Sequence, residues 1–230
     1  MERLIKQGVS VVFDSYGNHV YYTQIKKFGG TELRVLEENT KTGELSSSHI
    51  MSFSGQCNHL KRVKYYDDWV IFIYCREIGK SQLHMVRNLN GVYANSYESV
   101  DPNFDRMNVH VLRANTFLIS FYDSIRRTLR LRIFSFEKIN GFKFLKFKNL
   151  KLLNNIMLYE IGHFDNVLFL ALMKEGSQDM TFQKLTFFDN SITFGKVINT
   201  KQFLGGAGIS NWACRPYNDK RLVCSFMFAA

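Results

Sequence analysis

Five apolar runs recur along the 230 residues at nearly even intervals: VYYTQI (20–25), VIFIYC (70–75), FLISFY (117–122), LFLALM (168–173) and LVCSFM (222–227). Aligned on Thr23, Ile73, Ser120, Ala171 and Ser225, they stand 50, 47, 51 and 54 residues apart. A unit that recurs at this period is one supersecondary element, which buries its apolar face by packing on its neighbours. The chain is therefore expected to fold as a series of similar units.

The flanks repeat with the centres. About ten residues upstream lie short apolar stretches around Val12, Val63, Val109, Ile161 and Cys214, each followed by a turn signal: DSYGN, YYDD, RAN, HFDN and YNDK. Asp, Asn and Gly tolerate tight-turn dihedrals, so each pair predicts a β-hairpin. About ten residues downstream, ELRVLE, QLHMVR, LRLRIF and TFQKLTF alternate with the period of a strand buried on one face. A second turn (TGEL, NGVY, NGFKF, DNSITF) then leads into a fourth strand.

Four antiparallel strands in about 50 residues resembles a β-propeller blade. The expected fold is all-β, with four-stranded antiparallel blades and about 4.5 blades in this chain. The β-sandwich is the alternative. No WD dipeptide occurs, and the Gly-Gly pairs at 29–30 and 205–206 do not recur at the kelch position, so the resemblance is to propellers in general. With 2 Pro and no linker composition, residues 1–230 are expected to form one domain, with repeats at approximately 9–57, 58–105, 106–153, 154–207 and a partial 208–230. The sequence stops at CSFMFAA, just after the second strand of the fifth unit. A fragment of a larger propeller is the favoured reading, ahead of a strand donated by residues 2–10 and of an open ring.

The 21 Phe and 11 Tyr interleave with β-branched residues, which suits pleated surfaces better than helices. Nothing approaches the roughly 18 apolar residues of a spanning helix, and no signal peptide or sequon occurs; with the cysteines read as unpaired, this favours an intracellular soluble protein without membrane insertion. Cys57, Cys75, Cys214 and Cys224 form no CxxC pair and are expected as free buried thiols, Cys75 packed at the end of DDWVIFIYCRE.

The motifs that most directly disclose catalysis, among them the nucleophile elbow, the P-loop and HExxH, are missing. Cys57-Asn-His59 is half a metal clip without its second half. Asp14, Asp67, Asp68, Asp165 and Asp219 recur in first-hairpin turns, where turn chemistry accounts for them. The expectation is a non-catalytic chain without cofactor or metal.

A formal charge of +10 directs attention to anionic partners. Antiparallel order sends second turns and inter-unit links to one face and first and third turns to the other. The first face then gathers Lys26, Lys27, Lys61, Arg62, Arg126, Arg127, Lys146, Lys148 and Lys151 as a basic interaction face. The leading expectation is an interaction scaffold within a larger assembly, meeting an acidic protein surface. Nucleic-acid or other polyanion binding through the same face is one alternative, and a propeller hydrolase acting on glycans is the other.

Overall fold

The computed structural model describes residues 19–26, 29–65, 68–89, 92–100, 104–113, 116–138, 142–164, 167–177, 179–188, 191–201, 209–217 and 221–228. The expected first strand around Val12 and the turn residues Lys27, Asp67, Asp165 and Asp219 lie outside them.

Strands dominate the described residues. β1 (His19–Ile25), β2 (Thr31–Glu38) and β3 (Leu45–Phe53) form a first sheet in sequence order. β4 (Gln56–Tyr65), β5 (Asp68–Glu77), β6 (Lys80–Leu89) and β7 (Val92–Val100) form a second. β8 (Arg106–Arg113), β9 (Thr116–Asp123), β10 (Thr128–Lys138) and β11 (Phe142–Leu153) form a third. β12 (Ile156–Phe164), β13 (Val167–Lys174), β14 (Met180–Phe188) and β15 (Ser191–Asn199) form a fourth. β16 (Ile209–Pro216) and β17 (Leu222–Phe228) pair as a fifth. All pairings are antiparallel between consecutive strands.

The recurring apolar runs are the strands β1, β5, β9, β13 and β17, and their apolarity on both faces has a direct cause. Successive side chains of a strand point to opposite faces. In β5, Val70, Phe72 and Tyr74 enter one cluster with Phe117, Ile119 and Phe121 of β9. Ile71, Ile73 and Cys75 enter another with Leu33, Phe53 and Leu60. In β9, Leu118 and Tyr122 turn the other way and pack with Leu168, Leu170 and Leu172 of β13. Ala171 and Met173 meet Met180, with Trp212 of β16 packed against them. Each core thus lies between two successive sheets, and β5, β9 and β13 each serve two cores.

Hydrogen bonds tie the sheets at their links. Thr31 donates its hydroxyl to the Gly55 carbonyl (2.8 Å) and accepts the Cys57 N–H (3.0 Å), joining the first sheet to the second. The Tyr122 hydroxyl donates to the Ile156 carbonyl (2.7 Å), and the Ile156 N–H donates to Arg127 (2.8 Å), joining the third to the fourth. Gly30 makes one approach possible: its φ is +78°, and a Cβ there would stand 2.7 Å from the Phe53 carbonyl oxygen, a distance that no side chain tolerates.

The cysteines differ from expectation. Cys57 bonds to Cys75 and Cys214 to Cys224, and no cysteine is free. Each pair sits directly opposite in register across a first and second strand. Antiparallel pairing brings facing Cα atoms within about 4.5–5.5 Å, which places two facing cysteines close enough to bridge. The unpaired thiols that supported a reducing compartment are absent, and Cys57 is no longer available to a Cys-His metal clip.

Candidate functional site

Antiparallel order brings the turn residues 26, 29–30, 78–79, 124–127, 175–177 and 179 to the same end of the sheets as the link residues 54–55, 104–105 and 154–155. Adjacent units touch there: Ser54 donates to Glu77, and Arg127 pairs with Glu175. Of the residues expected on a basic face, Lys26, Arg126 and Arg127 lie in these turns. Each has a carboxylate beside it. Lys26 reaches Glu32 at 3.2 Å, Arg126 reaches Asp123 at 3.8 Å, and Arg127 pairs with Glu175. Glu32 also holds Arg34 at 2.9 Å, and the hydrogen bonds from Arg34 and then Lys26 hold its carboxyl below the usual range.

Other expected positions move. Lys61 and Arg62 lie within β4 rather than on a link. Lys61 is exposed, whereas Arg62 is 6% exposed and stacks its guanidinium 4.1 Å over the Trp69 ring and 5.5 Å from that of Tyr21. Arg62 is therefore packed between the first and second sheets. Burial, reinforced by Tyr93, pushes the neighbouring Tyr21 hydroxyl up to about 12. Lys146, Lys148 and Lys151, expected on an inter-unit link, also lie within a strand: on β11 they face Ser135, Ile133 and Leu131 in register.

The same end carries a cleft between the second and third sheets, lined by Val100, Phe104, Phe121, Asp123, Thr128, Arg130 and Arg132. Phe104 forms its apolar wall, 4.6 Å from Phe121 and 4.0 Å from Tyr74 between ring centroids. Arg130 and Arg132 are two residues apart on β10, so they project from one face of the sheet. The Arg132 guanidinium lies 5.7 Å from the Phe121 centroid. Asp123 is committed to its turn, where its carboxylate accepts the N–H groups of Ile125 (3.1 Å) and Arg126 (2.9 Å). Arg132 is 6% exposed and packed into the wall, whereas Arg130 is half-buried at the rim, where a guanidinium beside an aromatic wall suits a planar anion such as a carboxylate. Sequence reasoning missed this pair because LRLRIF reads as a strand whose arginines face solvent.

Behind Phe104 lies His59, with ring centroids 5.6 Å from Phe104 and 5.9 Å from Tyr74. Its Nε2 is buried and has no hydrogen-bond partner. Burial lowers its pKa from the usual 6.5, against a raising influence of Asp105. His84 is lowered by burial as well. Both are neutral in the folded state where the unfolded chain is already taking up protons. Unfolding free energy should therefore fall as pH drops below 6.5 and continue to fall until the lower folded pKa values are reached. Denaturant titrations across this range should show a shallower slope for His59→Leu, and an unaltered slope would refute the assignment.

Among the described residues of the first strands β4, β8, β12 and β16, the carboxylate is Glu160, which accepts the Cys214 N–H at 2.8 Å and pairs with Arg215. Beside it, the Tyr159 hydroxyl accepts from Asn108 Nδ2 (3.2 Å) and lies 3.4 Å from Ser120 Oγ; burial raises its pKa. No group of three His, Cys, Asp or Glu among the described residues could hold a metal. No helix among them is long and apolar enough to cross a membrane.

No family model matches the chain, and no curated protein matches it. Solved structures do. An exo-β-1,3-galactanase from Phanerochaete chrysosporium in complex with β-1,3-galactotriose is similar, with a TM-score of 0.41 and 8% identity over 84% of this chain and 49% of that one. The same enzyme with galactose gives 0.40 and 8% over the same shares. This chain thus spans about half the length of these neighbours. The expectation of a non-catalytic chain is set aside beside these similarities, which are to an exo-β-1,3-galactanase; at a TM-score of 0.41 and 8% identity no activity passes from that enzyme to this chain.

Proposed function

We propose that residues 1–230 form one propeller-type domain whose turn end binds an acidic protein segment, with the cleft between the second and third sheets as its centre. The observation that supports this reading is Arg130, half-buried on β10 at a cleft lined by Phe104 and Phe121, with the buried Arg132 packed beside it near the Phe121 ring. Charge-assisted bonds to carboxylate are the strong class of hydrogen bond, and a low-dielectric aromatic wall strengthens them further. The net charge of +10 steers an acidic partner toward this protein. The β-propeller description belongs to the same proposal: it is supported by five sheets in sequence order with each core shared between successive sheets.

A fluorescent glutamate-rich peptide, titrated with the full chain across a salt series, tests the reading. Arg130→Glu should weaken binding by about tenfold or more, because it sets like charge against the ligand. Retained affinity in Arg130→Glu would sink the cleft assignment. If a single-stranded oligonucleotide bound instead, with affinity falling steeply in salt, the polyanion reading would replace this one. Glycan cleavage would replace it as well, and needs a second carboxylate within reach of Glu160. Release of sugar from a β-1,3-galactan by the purified chain would show that activity.

A further inference from the structure

We infer that the segment bound at the cleft is amphipathic: an acidic residue set at Arg130, with apolar side chains on either side of it that pack on Ile78 and Ile125. The inference rests on the reading of the cleft as a site for an acidic protein segment, and it names what else that segment carries.

Ile78 is fully exposed and Ile125 is 92% exposed. Single apolar residues on a surface are ordinary, but these two are set apart by their positions. Ile78 and Gly79 form the two-residue turn between Glu77 and Lys80, which face each other in register, and Gly79 takes a positive φ of +78°. Ile125 stands in the turn 124–127, between the paired residues Asp123 and Thr128. Such turns favour Asn, Asp, Ser and Gly, and a β-branched apolar side chain contributes nothing to them. The fold therefore has no use for isoleucine at either tip. The equivalent turn after β13 carries Lys174, Glu175, Gly176 and Ser177 instead. Among the described turn residues at this end, the exposed isoleucines belong to the second and third sheets, the two that bound the cleft.

Both tips adjoin it. Asp123 and Thr128, the two ends of the Ile125 turn, line the cleft themselves. Val100 lines it from the second sheet and faces Ser81, the residue after Lys80. Stacked sheets lie about 10 Å apart, so an extended segment passes from one tip to the other in about three residues. The turns are also held in place before anything binds. The Asp123 carboxylate accepts the Ile125 N–H at 3.1 Å, the Ser124 N–H donates to Asp105 at 3.0 Å, and Glu77 reaches Lys80 at 3.1 Å. Contacts on a surface already ordered cost less to make. A lipid surface would call for an excess of basic charge around the tips. Glu77, Asp123 and Glu175 offset Lys80, Arg126 and Arg127 there, which leaves Arg130 in the cleft to select a carboxylate.

Two fluorescent peptides of equal length and charge, one repeating Leu-Glu-Glu and the other Ser-Glu-Glu, test this by titration with the full chain at one salt concentration. The leucine peptide should bind at least about tenfold tighter. Ile78→Asn and Ile125→Asn suit the turns, and circular dichroism checks that each variant is folded. Each should weaken the leucine peptide by about fivefold or more and leave the serine peptide unchanged. Arg130→Glu should weaken both peptides. Equal affinity for the two peptides, both weakened by Arg130→Glu, overturns this inference and leaves the cleft reading standing. Binding of neither peptide removes the cleft reading and this inference with it. Sedimentation of the chain with phosphatidylserine vesicles, abolished by the isoleucine changes while the leucine peptide binds the variants undiminished, puts a lipid surface in the segment's place and overturns it. Self-association abolished by the same changes, with the same indifference of the peptide, does so for a second copy.

Discussion

Removal of the Cys57–Cys75 bridge, by Cys57→Ala with Cys75→Ala, lowers the unfolding free energy by about 3 kcal/mol, the stabilisation typical of a closed loop of this size. The bridge spans 18 residues and ties the first two strands of the second sheet. Both cysteines are buried, Cys57 at 0% and Cys75 at 2%, so a reductant reaches them only after the sheet opens. Cys214–Cys224 spans 10 residues in the two-stranded sheet, where Cys224 is half-buried. Its shorter loop contributes less, and it should be reduced first as reductant is raised. Thiol counting in native and denatured protein, with urea titration of the double-alanine variant, checks both statements. Unbridged thiols in freshly purified protein, or an unchanged denaturation midpoint, would contradict them.

The second large effect is expected from Phe117→Ala. Phe117 is fully buried in the cluster between the second and third sheets, with its ring edge-on to Phe72 at 5.1 Å. Truncating a buried Phe removes its transfer free energy and leaves a cavity, a loss of about 3–5 kcal/mol. Val197→Ala serves as the contrast, since Val197 is 52% exposed on β15 and such surface changes usually stay within about 0.5 kcal/mol. Urea unfolding of both variants gives the comparison. A loss below about 1 kcal/mol for Phe117→Ala would mean that these two sheets do not share a close-packed core.

The strand order was legible because its determinants are local. Apolar runs at Ile73, Ser120 and Ala171, alternation in QLHMVR and turn residues at fixed offsets each report within a few residues of chain. Facing positions were not legible, because register is fixed by irregularities that leave no simple mark. Cys57 meets Cys75 through a pairing that shifts between Cys57 and His59. β11 reaches Leu153 through two such shifts, and this length carries Lys146, Lys148 and Lys151 in the strand where an inter-unit link was expected. Charge misled at Arg62 for another reason. A guanidinium stacks on aromatic rings and leaves water where a lysine would stay solvated, and Trp69 and Tyr21 supply those rings. Arg130 and Arg132 were overlooked on the same assumption that an alternating strand keeps its arginines in solvent.

The two-faced second strands constrain how this chain can drift. A substitution in β9 that keeps an apolar side chain of similar volume disturbs one core. One inserted or deleted residue exchanges odd for even positions, so Phe117, Ile119 and Phe121 would trade sides with Leu118 and Tyr122 and two cores would be rewritten together. Length changes are therefore kept out of β5, β9 and β13 and fall in turns, in links and in bulges of the strands around them, such as those at Cys57/His59 and Ser135/Phe136. The uneven steps of 50, 47, 51 and 54 residues between units fit that pattern: a frame of two is kept along these second strands while the spacing between them wanders.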